Sequence, residues 1–384
     1  MSDFVSQGGP QTLCHSCGSD TMEPVPGLED LGLVTSDCRP WDGRRFLSWC
    51  PCCGLVQKCV DQDFHADCCR IYDSYAVYHQ SGGQEQKTFG ADGAGVARSE
   101  HLLRGLQSHL PLPDSGRLLD VGCGNGVLLK SFGALNPAWT LCGLDLDDRS
   151  REVVKALPGV EDFYCCDLME VPGSFDVVSM MHCLEHVLAP VEFLRKTARL
   201  LEPGGLLLVE VPDFATNPFD LAIADHCTHF TPETLKGVAR RAGFEPVLLE
   251  RGLVSKELTL LARLTSAPNP TCKMTDSRKE ALRALDWMTR TLRVAAEIPP
   301  QELGIFGTSI AGVWLFNCLG RKAEFFVDED QSRVGHPLFG LPVVSPSQLQ
   351  SGQTVFLSFP PAIAKSIAAR MADSPARLVL PPER

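Results

Sequence analysis

The strongest constraint on the fold is an alternation of short apolar runs with amphipathic segments, which starts near Leu102. Apolar runs of this length between helical patterns are typical of buried parallel strands joined by crossover helices. Four runs predict such strands: residues 117–121, 140–145, 175–180 and 205–210. Two later runs, 246–250 and 258–264, flank a short polar stretch and predict an antiparallel hairpin at the sheet edge. The middle of the chain is therefore expected to be an α/β domain.

A second, smaller alternation begins at Leu303, with predicted strands at 304–307, 323–328 and 354–357. Between the two lie a Pro-rich loop, 266–269, and a capping-box pattern at Ser277 and Glu280 that predicts a long helix. We predict a seven-stranded Rossmann-like sheet in the middle and a second Rossmann-like domain at the end. The expected divisions are residues 1–70, 71–265, 266–300 as linker and connecting helix, and 301–384.

Residues 1–70 have few consecutive apolar positions but nine of the 17 cysteines in the chain. Such a segment needs a cross-link, such as a bound metal ion, to be stable, because its own core is small. Two Cys-x-x-Cys pairs, each followed by glycine, are typical of tetrahedral Zn²⁺ knuckles. The predicted ligands of a structural zinc are Cys14, Cys17, Cys50 and Cys53, with Cys52 as an alternative to Cys53. Redox-active cysteines are disfavoured, since no thioredoxin-like unit surrounds them.

Charge and hydropathy limit the partners. A net charge of -12 opposes binding to phosphate backbones, so nucleic acid is not expected as a partner. No window approaches the roughly 18 apolar residues needed to span a bilayer, and the start lacks a basic flank with an apolar run. We predict a cytoplasmic protein without a membrane partner.

A glycine-rich turn ends the first predicted strand, where glycines let a ligand approach the backbone closely. Asp145 ends the next strand, placed to accept hydrogen bonds from two ribose hydroxyls. Asp167 follows the third strand, where a carboxylate can contact an adenine amino group. The predicted cofactor residues are Asp120, Gly122, Gly124, Asn125, Gly126, Asp145, Leu146, Asp167 and Leu168.

This ordered set resembles the class I methyltransferases that use S-adenosylmethionine, over about residues 100–265. The pattern Asp-x-Gly-x-Gly-x-Gly is that family's cofactor loop, and segments 175–178, 184–187 and 200–205 resemble the strands and turn that follow it. A nicotinamide-binding domain would instead favour Gly-x-Gly-x-x-Gly. The resemblance implies S-adenosylmethionine as cofactor and methyl transfer as the reaction.

A loop after the fifth strand carries Asp225 and His226, at the sheet edge where ligands bind. An acid and a histidine there can provide a general base beside the transferred methyl group, and His182 and His186 are further candidates. The alternative is a histidine that only hydrogen-bonds the local backbone.

The three-part organisation resembles sugar C-methyltransferases that act on nucleotide-activated keto-deoxysugars. That family has a Glu-His pair before a Tyr-Phe, which Asp225-His226 and His229-Phe230 match, whereas Ile223 stands where the family has tyrosine. The resemblance implies that Asp225 orients His226 as the base and that Tyr75, among Tyr72, Tyr75 and Tyr78, faces the acceptor. It also implies a nucleotide sugar as substrate, and segment 82–86 is expected to be a flexible lead-in near the cofactor.

A degenerate glycine motif, 304–312, precedes Asp328 at the end of the next strand. It predicts either a site for the nucleotide part of a substrate or a fold without a ligand, since its glycine spacing departs from the dinucleotide pattern. Three alternatives to sugar C-methylation follow: O- or N-methylation of a small metabolite, a nicotinamide-dependent oxidoreductase, and a non-catalytic binding protein on a methyltransferase scaffold.

Overall fold

The structure is a computed structural model that describes residues 13–75, 85, 87–89, 95–107, 109, 112–265 and 276–384. Tyr78, the lead-in segment apart from Glu85, and the loop 266–269 lie outside the described residues.

Short strands dominate the N-terminal region. Its elements are β1 (Glu23–Val25), β2 (Leu33–Val34), β3 (Pro40–Trp41), β4 (Leu47–Trp49), β5 (Val56–Lys58) and α1 (Gln62–Asp73). Strands β1, β4 and β5 form an antiparallel sheet, and β2 pairs with β3. Helix α1 begins after Asp61, whose carboxylate accepts a hydrogen bond from the Phe64 amide and so caps the helix.

The apolar side chains of this region share a core with distant parts of the chain. Leu28 and Val34 are fully buried in the same cluster as Phe219, Trp287 and Trp314. Burying large aromatic rings contributes strongly to stability, typically about 1.5 to 3 kcal/mol for each large apolar side chain. The N-terminal region is therefore stabilised by packing against the C-terminal half as well as by its own sheet.

The middle of the chain is a mixed α/β unit. Its elements are β6 (Lys87–Phe89), β7 (Gly95–Ala97), α2 (Arg98–Gln107), β8 (Arg117–Val121), α3 (Val127–Leu135), β9 (Thr140–Leu144), α4 (Arg151–Lys155), β10 (Val160–Tyr164), β11 (Phe175–Met181), α5 (Pro190–Ala198), β12 (Leu201–Pro212), β13 (Thr228–His229), α6 (Pro232–Arg241), β14 (Phe244–Arg251) and β15 (Glu257–Leu264). The main sheet has the order β10-β9-β8-β11-β12-β15-β14.

Strands β10, β9, β8, β11 and β12 run parallel, and β15 is antiparallel to both β12 and β14. The predicted mixed α/β fold with a mainly parallel, Rossmann-like sheet is confirmed. Strand β8 is buried along almost its whole length, as expected for a parallel strand covered by helices on both faces. Strand β13 does not join this sheet and instead pairs with β5 of the N-terminal sheet.

The C-terminal part forms a second parallel sheet. Its elements are α7 (Ser277–Ala296), β16 (Leu303–Phe306), α8 (Ile310–Cys318), β17 (Phe325–Val327), β18 (Val343–Val344), β19 (Thr354–Leu357), α9 (Pro361–Arg370) and β20 (Arg377–Val379). The order is β18-β17-β16-β19-β20, with every neighbouring pair parallel. Strands β18 and β20 were not predicted, because they are too short to form a clear apolar run.

One predicted helix start was misplaced by a residue. The capping residue of α7 is Asp276, whose side chain accepts from the Lys279 amide, and Ser277 lies inside the helix with its hydroxyl donating to the Gly54 carbonyl. This contact attaches the helix to the turn that holds Cys53. Among the described helices, none is both long and apolar enough to cross a membrane.

Candidate functional site

The glycine-rich turn between β8 and α3 is fixed by its hydrogen bonds to the end of β9. The amides of Gly122 and Cys123 donate to the Leu144 carbonyl, and the Gly124 amide donates to a carboxylate oxygen of Asp145 at 2.7 Å. Gly122 has a φ of +73°, and a Cβ there would lie 3.2 Å from the Cys183 sulfur. A larger residue would therefore be strained in two ways. The structure brings the predicted turn and Asp145 into direct contact.

Asp120, the last acid before this turn, is buried below it. Its carboxylate accepts a hydrogen bond from the Ser179 hydroxyl at 2.8 Å, and burial raises the pKa of Asp120 to about 7. The carboxyl group is therefore partly protonated at neutral pH. It lies inside the sheet, below the turn.

The third acidic residue of the predicted cofactor site, Asp167, follows the neighbouring strand β10. The carboxylate of Asp167 accepts from the Met169 amide at 2.9 Å, and Leu168 is buried beside it. The Cys165 thiol lies 3.5 Å from the Leu146 carbonyl, so the segments after β9 and β10 adjoin. Asp145 and Asp167 therefore stand just after the ends of two adjacent parallel strands.

A cavity of about 630 Å³ opens beside the glycine-rich turn. Asp120, Gly122, Gly124 and Asn125 form part of its wall, whereas the other predicted cofactor residues lie outside that wall. Its remaining walls come from the middle of the chain, the N-terminal region and the C-terminal sheet. The wall residues that bear on the chemistry are Ser36, Tyr75, His182, His186, His226, Phe306, Ser309 and Arg333. The volume suits a small-molecule site.

His226 lines this cavity and is only 3% exposed. The predicted orienting acid was wrong: Nδ1 of His226 lies 2.6 Å from Asp220, not beside the Asp225 carboxylate. The second oxygen of Asp220 lies 2.7 Å from Nδ1 of His229, so one buried carboxylate serves two imidazoles. The two histidines hold the pKa of Asp220 well below its usual range against the opposing effect of burial. Burial lowers the pKa of His226, but the hydrogen bond and charge of Asp220 outweigh it and raise that pKa.

Asp225 contacts other groups because its side chain turns toward the N-terminal region. Its carboxylate accepts from both the amide and the hydroxyl of Ser36. It also lies 3.5 Å from Nδ1 of His186, and this nitrogen is 3.0 Å from the Asp225 carbonyl. The His186 and His226 rings meet edge to face, with centroids 4.6 Å apart. Asp225 thus anchors the loop and the neighbouring imidazole rather than His226.

The three histidines of the cavity have different charge environments. Burial lowers the pKa of His186. Burial and Arg98 also disfavour the charged form of His182, but the nearby carboxylates, Glu257 among them, raise its pKa to about 9. Because Arg98 contacts Nε2 of His182 and Glu185 lies 3.2 Å from Nδ1, both ring nitrogens are engaged, and His182 is the weakest candidate for a base.

Tyr75, which the resemblance places near the acceptor, lines the cavity. Its hydroxyl lies 3.3 Å from the oxygen of Ser36, whose own proton goes to Asp225, and its ring packs on that of Tyr72 with centroids 5.7 Å apart. The Tyr72 hydroxyl lies 3.0 Å from Nδ1 of His186. Of the two imidazoles that meet edge to face, His186 and His226, it is therefore His186 that Tyr72 contacts.

Among the residues that the structure describes, two groups of side chains have the geometry of metal sites. Cys14, Cys17, Cys50 and Cys53 place one sulfur each within 4.8 Å of the others. Cys52 is exposed, with its sulfur 3.3 Å from the Ser19 hydroxyl. Of the two alternatives for the fourth ligand, the geometry favours Cys53.

The second group is Glu185, His186 and His226, each with one ligand atom within the same limit. Oε2 of Glu185 is buried without a hydrogen-bond partner. Sequence reasoning missed Glu185 and Asp220. An acid inside an otherwise apolar turn, Pro218–Ala222, was the available sign for Asp220.

The C-terminal glycine motif closes the far side of the cavity. A Cβ on Gly312 would lie 1.9 Å from the Gly307 carbonyl, so only glycine allows α8 to pack this closely on the turn. The Asp328 carboxylate accepts from the Thr308 amide and hydroxyl, and Arg333 donates to the hydroxyls of Thr308 and Ser309. Arg333 also lies 3.5 Å from the Asp328 carboxylate, so both charges of this pair are engaged by protein groups.

Comparison with known proteins places the middle of the chain among methyltransferases. Residues 97–249 match a family described as a methyltransferase domain, a range that contains the glycine-rich turn, Asp145 and His226. The chain is 34% identical over 177 residues to a ubiquinone biosynthesis O-methyltransferase of Ralstonia nicotianae, covering 40% of this chain and 72% of that protein.

It is 29% identical over 188 residues to the protein of the same name from Thiobacillus denitrificans, covering 42% of this chain and 78% of the relative. Among solved structures, the 1,6-didemethyltoxoflavin N1-methyltransferase of Burkholderia thailandensis is 20% identical, with a TM-score of 0.39 and coverage of 55% of this chain and 96% of that one.

The contact between Asp145 and the glycine turn generates the first prediction. Asp145→Ala should weaken S-adenosylmethionine binding by roughly 1 to 3 kcal/mol, through loss of charge-assisted hydrogen bonds to ribose. Gly122→Val should weaken it further, because the branched side chain is strained and meets Cys183. Asp147→Ala, which removes an acid paired with Arg149, is the matched control and should bind normally. Calorimetry measures all three; unchanged affinity in both test variants would contradict the placement.

Proposed function

This chain belongs to the class I S-adenosylmethionine-dependent methyltransferases, and we propose that it methylates a carbon of a nucleotide-activated keto-deoxysugar. Such a reaction serves surface-polysaccharide or secondary-metabolite biosynthesis, and its predicted location is the cytoplasm. The observation that carries the proposal is the shared cavity, which joins the cofactor turn, the carboxylate-backed His226 and the second Rossmann-like sheet. The family match ends at residue 249, before the C-terminal sheet that supplies Ser309 and Arg333. That wall suits the nucleotide part of a substrate.

His226 is the proposed base. Because Nδ1 donates its proton to Asp220, the other ring nitrogen carries the lone pair that accepts a proton. It removes a proton from the carbon next to the sugar ketone, and the electron pair moves into the enolate. With S-adenosylmethionine held by the glycine-rich turn and Asp145, the cofactor would supply its methyl group to the enolate carbon and would be released as S-adenosylhomocysteine. Tyr75 is proposed to donate a hydrogen bond to the enolate oxygen, which such a donor stabilises by about 3 kcal/mol.

The first test is the product. We expect labelled S-adenosylmethionine and a panel of nucleotide-activated 4-keto-deoxysugars to give a product with a carbon-bound methyl group, located by mass spectrometry and NMR. His226→Ala should lower turnover by roughly 100-fold or more with cofactor affinity intact, since general bases contribute about 10² to 10⁴ in rate. The control is His336→Ala, which changes an exposed histidine of the C-terminal part. Near wild-type turnover in His226→Ala would exclude the mechanism.

The charge of Asp220 generates a prediction on pH. A base acts when neutral, so kcat/KM should fall as pH drops through the pKa of His226, which Asp220 holds above its ordinary value. Asp220→Asn removes that charge and should move the acid limb to lower pH while also reducing the maximal rate. Asp225→Asn is the matched control and should move the limb less, because its carboxylate contacts Ser36 and His186. A larger shift in Asp225→Asn would restore the original assignment.

O-methylation is the second candidate function, favoured by the relatives and by the group of Glu185, His186 and His226. Two imidazoles and a carboxylate suit a transition-metal ion, which would lower the pKa of a bound acceptor hydroxyl. The same assay distinguishes it when the panel includes dihydroxylated aromatic rings with added Mn²⁺ or with chelator. A metal-dependent methyl ether that Glu185→Gln abolishes would favour this candidate over carbon methylation.

We further propose that the cysteine cluster holds a structural Zn²⁺. Tetrahedral zinc with a Zn–S distance of about 2.3 Å places its sulfurs about 3.8 Å apart. The sulfurs of Cys14 and Cys53 are 3.4 Å apart, and those of Cys17 and Cys50 are 3.6 Å apart, so a small expansion fits the ion. Four protein ligands leave no open position, which suits a structural role.

Metal analysis tests this site. The purified chain should contain about one zinc per molecule, and Cys14→Ser should lose it and destabilise the N-terminal region, because the metal supplies folding free energy. Cys52→Ser is the control, since this exposed cysteine lies outside the cluster, and it should retain the metal. A chain purified without chelator that contains no zinc would end the proposal.

A further inference from the structure

The loop that carries His226 is fixed by the N-terminal region on two sides. On one side, the Ala224 amide donates to the Val34 carbonyl at 2.6 Å. The Ser36 amide also donates to Asp225, which lies 189 positions further along the chain. On the other side, β13 pairs with β5, so that Thr228 lies opposite Gln57. The conformation of this loop therefore depends on residues far from it in sequence.

Lys58, the last residue of β5, contacts the loop on both sides of His226. Its ammonium group donates to the carbonyl of Ile223 and, at 3.1 Å, to that of Ala224. Its backbone amide donates to the Cys227 carbonyl at 2.9 Å. One residue thus binds the chain immediately before and immediately after the Asp225-His226 pair.

Burying an ammonium group costs free energy, so a lysine at this position needs a reason. Lys58 is 2% exposed, and burial lowers its pKa to about 8 although the charges of Asp225 and Asp220 oppose the shift. The thiols of Cys68 and Cys227 also face it. An apolar side chain of similar volume often stabilises a protein as well as a buried charge does, so stability alone does not require lysine here. The positive charge of Lys58 is complementary to the carbonyl oxygens and carboxylates around His226.

We propose that Lys58 is a positioning residue, through which the cysteine-bearing region sets the geometry and charge environment of His226. The inference rests on the proposed role of His226 as the base. Lys58 does not line the cavity, so it acts on the reaction through the loop.

The cysteine cluster is connected to the loop of His226 through β5 and β13. His15, inside the first Cys-x-x-Cys, has Nδ1 2.9 Å from the Thr228 hydroxyl, and its amide donates to the side chain of Gln57. Gln57 donates in turn to the Leu13 carbonyl. The cluster, β5 and β13 are therefore one connected unit, with Lys58 at the end nearest the site.

Hydrogen exchange of the full chain tests the positioning role without an acceptor. Lys58→Met keeps the length of the side chain but removes its charge and donors, and should speed exchange of amides 223–229 by about tenfold or more. Lys58→Arg keeps charge and donors and should stay near wild type. Lys236→Met is the control, since that lysine pairs with Glu233 on the surface helix α6. Binding of S-adenosylmethionine shows that each variant is folded.

Titration of His226 separates positioning from a merely structural role. In histidine-labelled protein, the His226 signal, assigned by its loss in His226→Ala, should titrate at higher pH in Lys58→Met, because a nearby cation disfavours the imidazolium. In Lys58→Arg it should titrate as in wild type.

The two proposals fail separately. Unchanged exchange and unchanged His226 titration in a folded Lys58→Met would overturn the positioning role, whatever the turnover. If Lys58→Met does not bind the cofactor, hydrogen exchange and the His226 titration are measured on Lys58→Gln instead. This variant keeps hydrogen-bond donors but has no charge, and unchanged values in it would likewise overturn the positioning role. Wild-type turnover in His226→Ala would instead remove the base and leave the loop measurements standing.

Discussion

The pairing of β5 with β13 is the contact on which the site depends. Through this pairing, a two-residue strand of the middle of the chain joins the N-terminal sheet, in which Cys50 and Cys53 lie in the turn between β4 and β5. A strand this short has little stability of its own. It pairs with β5, and the residues in and around it contact Lys58 and His15 of the first Cys-x-x-Cys, so the loop that carries His226 packs on a small region with a limited core. The C-terminal half stabilises the same region through Trp287 and Trp314.

Electrostatics divide the histidines of the cavity into separate roles. Asp220 lies between His226 and His229, and it is ionised because both imidazoles stabilise its charge. The contact with Asp220 raises the pKa of His226, whereas burial lowers the pKa of His186 and the carboxylates around His182 raise its pKa. Groups whose environments move their pKa values apart are typical of sites that transfer protons. The three histidines of the cavity are therefore not equivalent.

Local spacing predicted the parts of the site that local structure determines. The turn at Gly122, its contact with Asp145 and the parallel strands around them follow from apolar runs and glycine positions within about thirty residues. The partner of His226 could not be found in this way, because Asp220 reaches it only when a short helical turn folds back. Asp225 was misassigned since its true partner, Ser36, lies 189 positions away. Nothing in the sequence indicates the role proposed for Lys58, for the same reason. Contacts between residues far apart in the chain leave no periodic pattern in the sequence.

The central claim is that one cavity presents the cofactor's methyl group to His226. A crystal structure of the full chain with S-adenosylhomocysteine tests it most directly. The account predicts ribose hydroxyls on Asp145, the sulfur at the cavity beside Gly122, and an open path from the sulfur to the unprotonated nitrogen of His226. A sulfur directed away from the cavity, or a His226 whose second nitrogen is engaged by a protein group, would contradict the account.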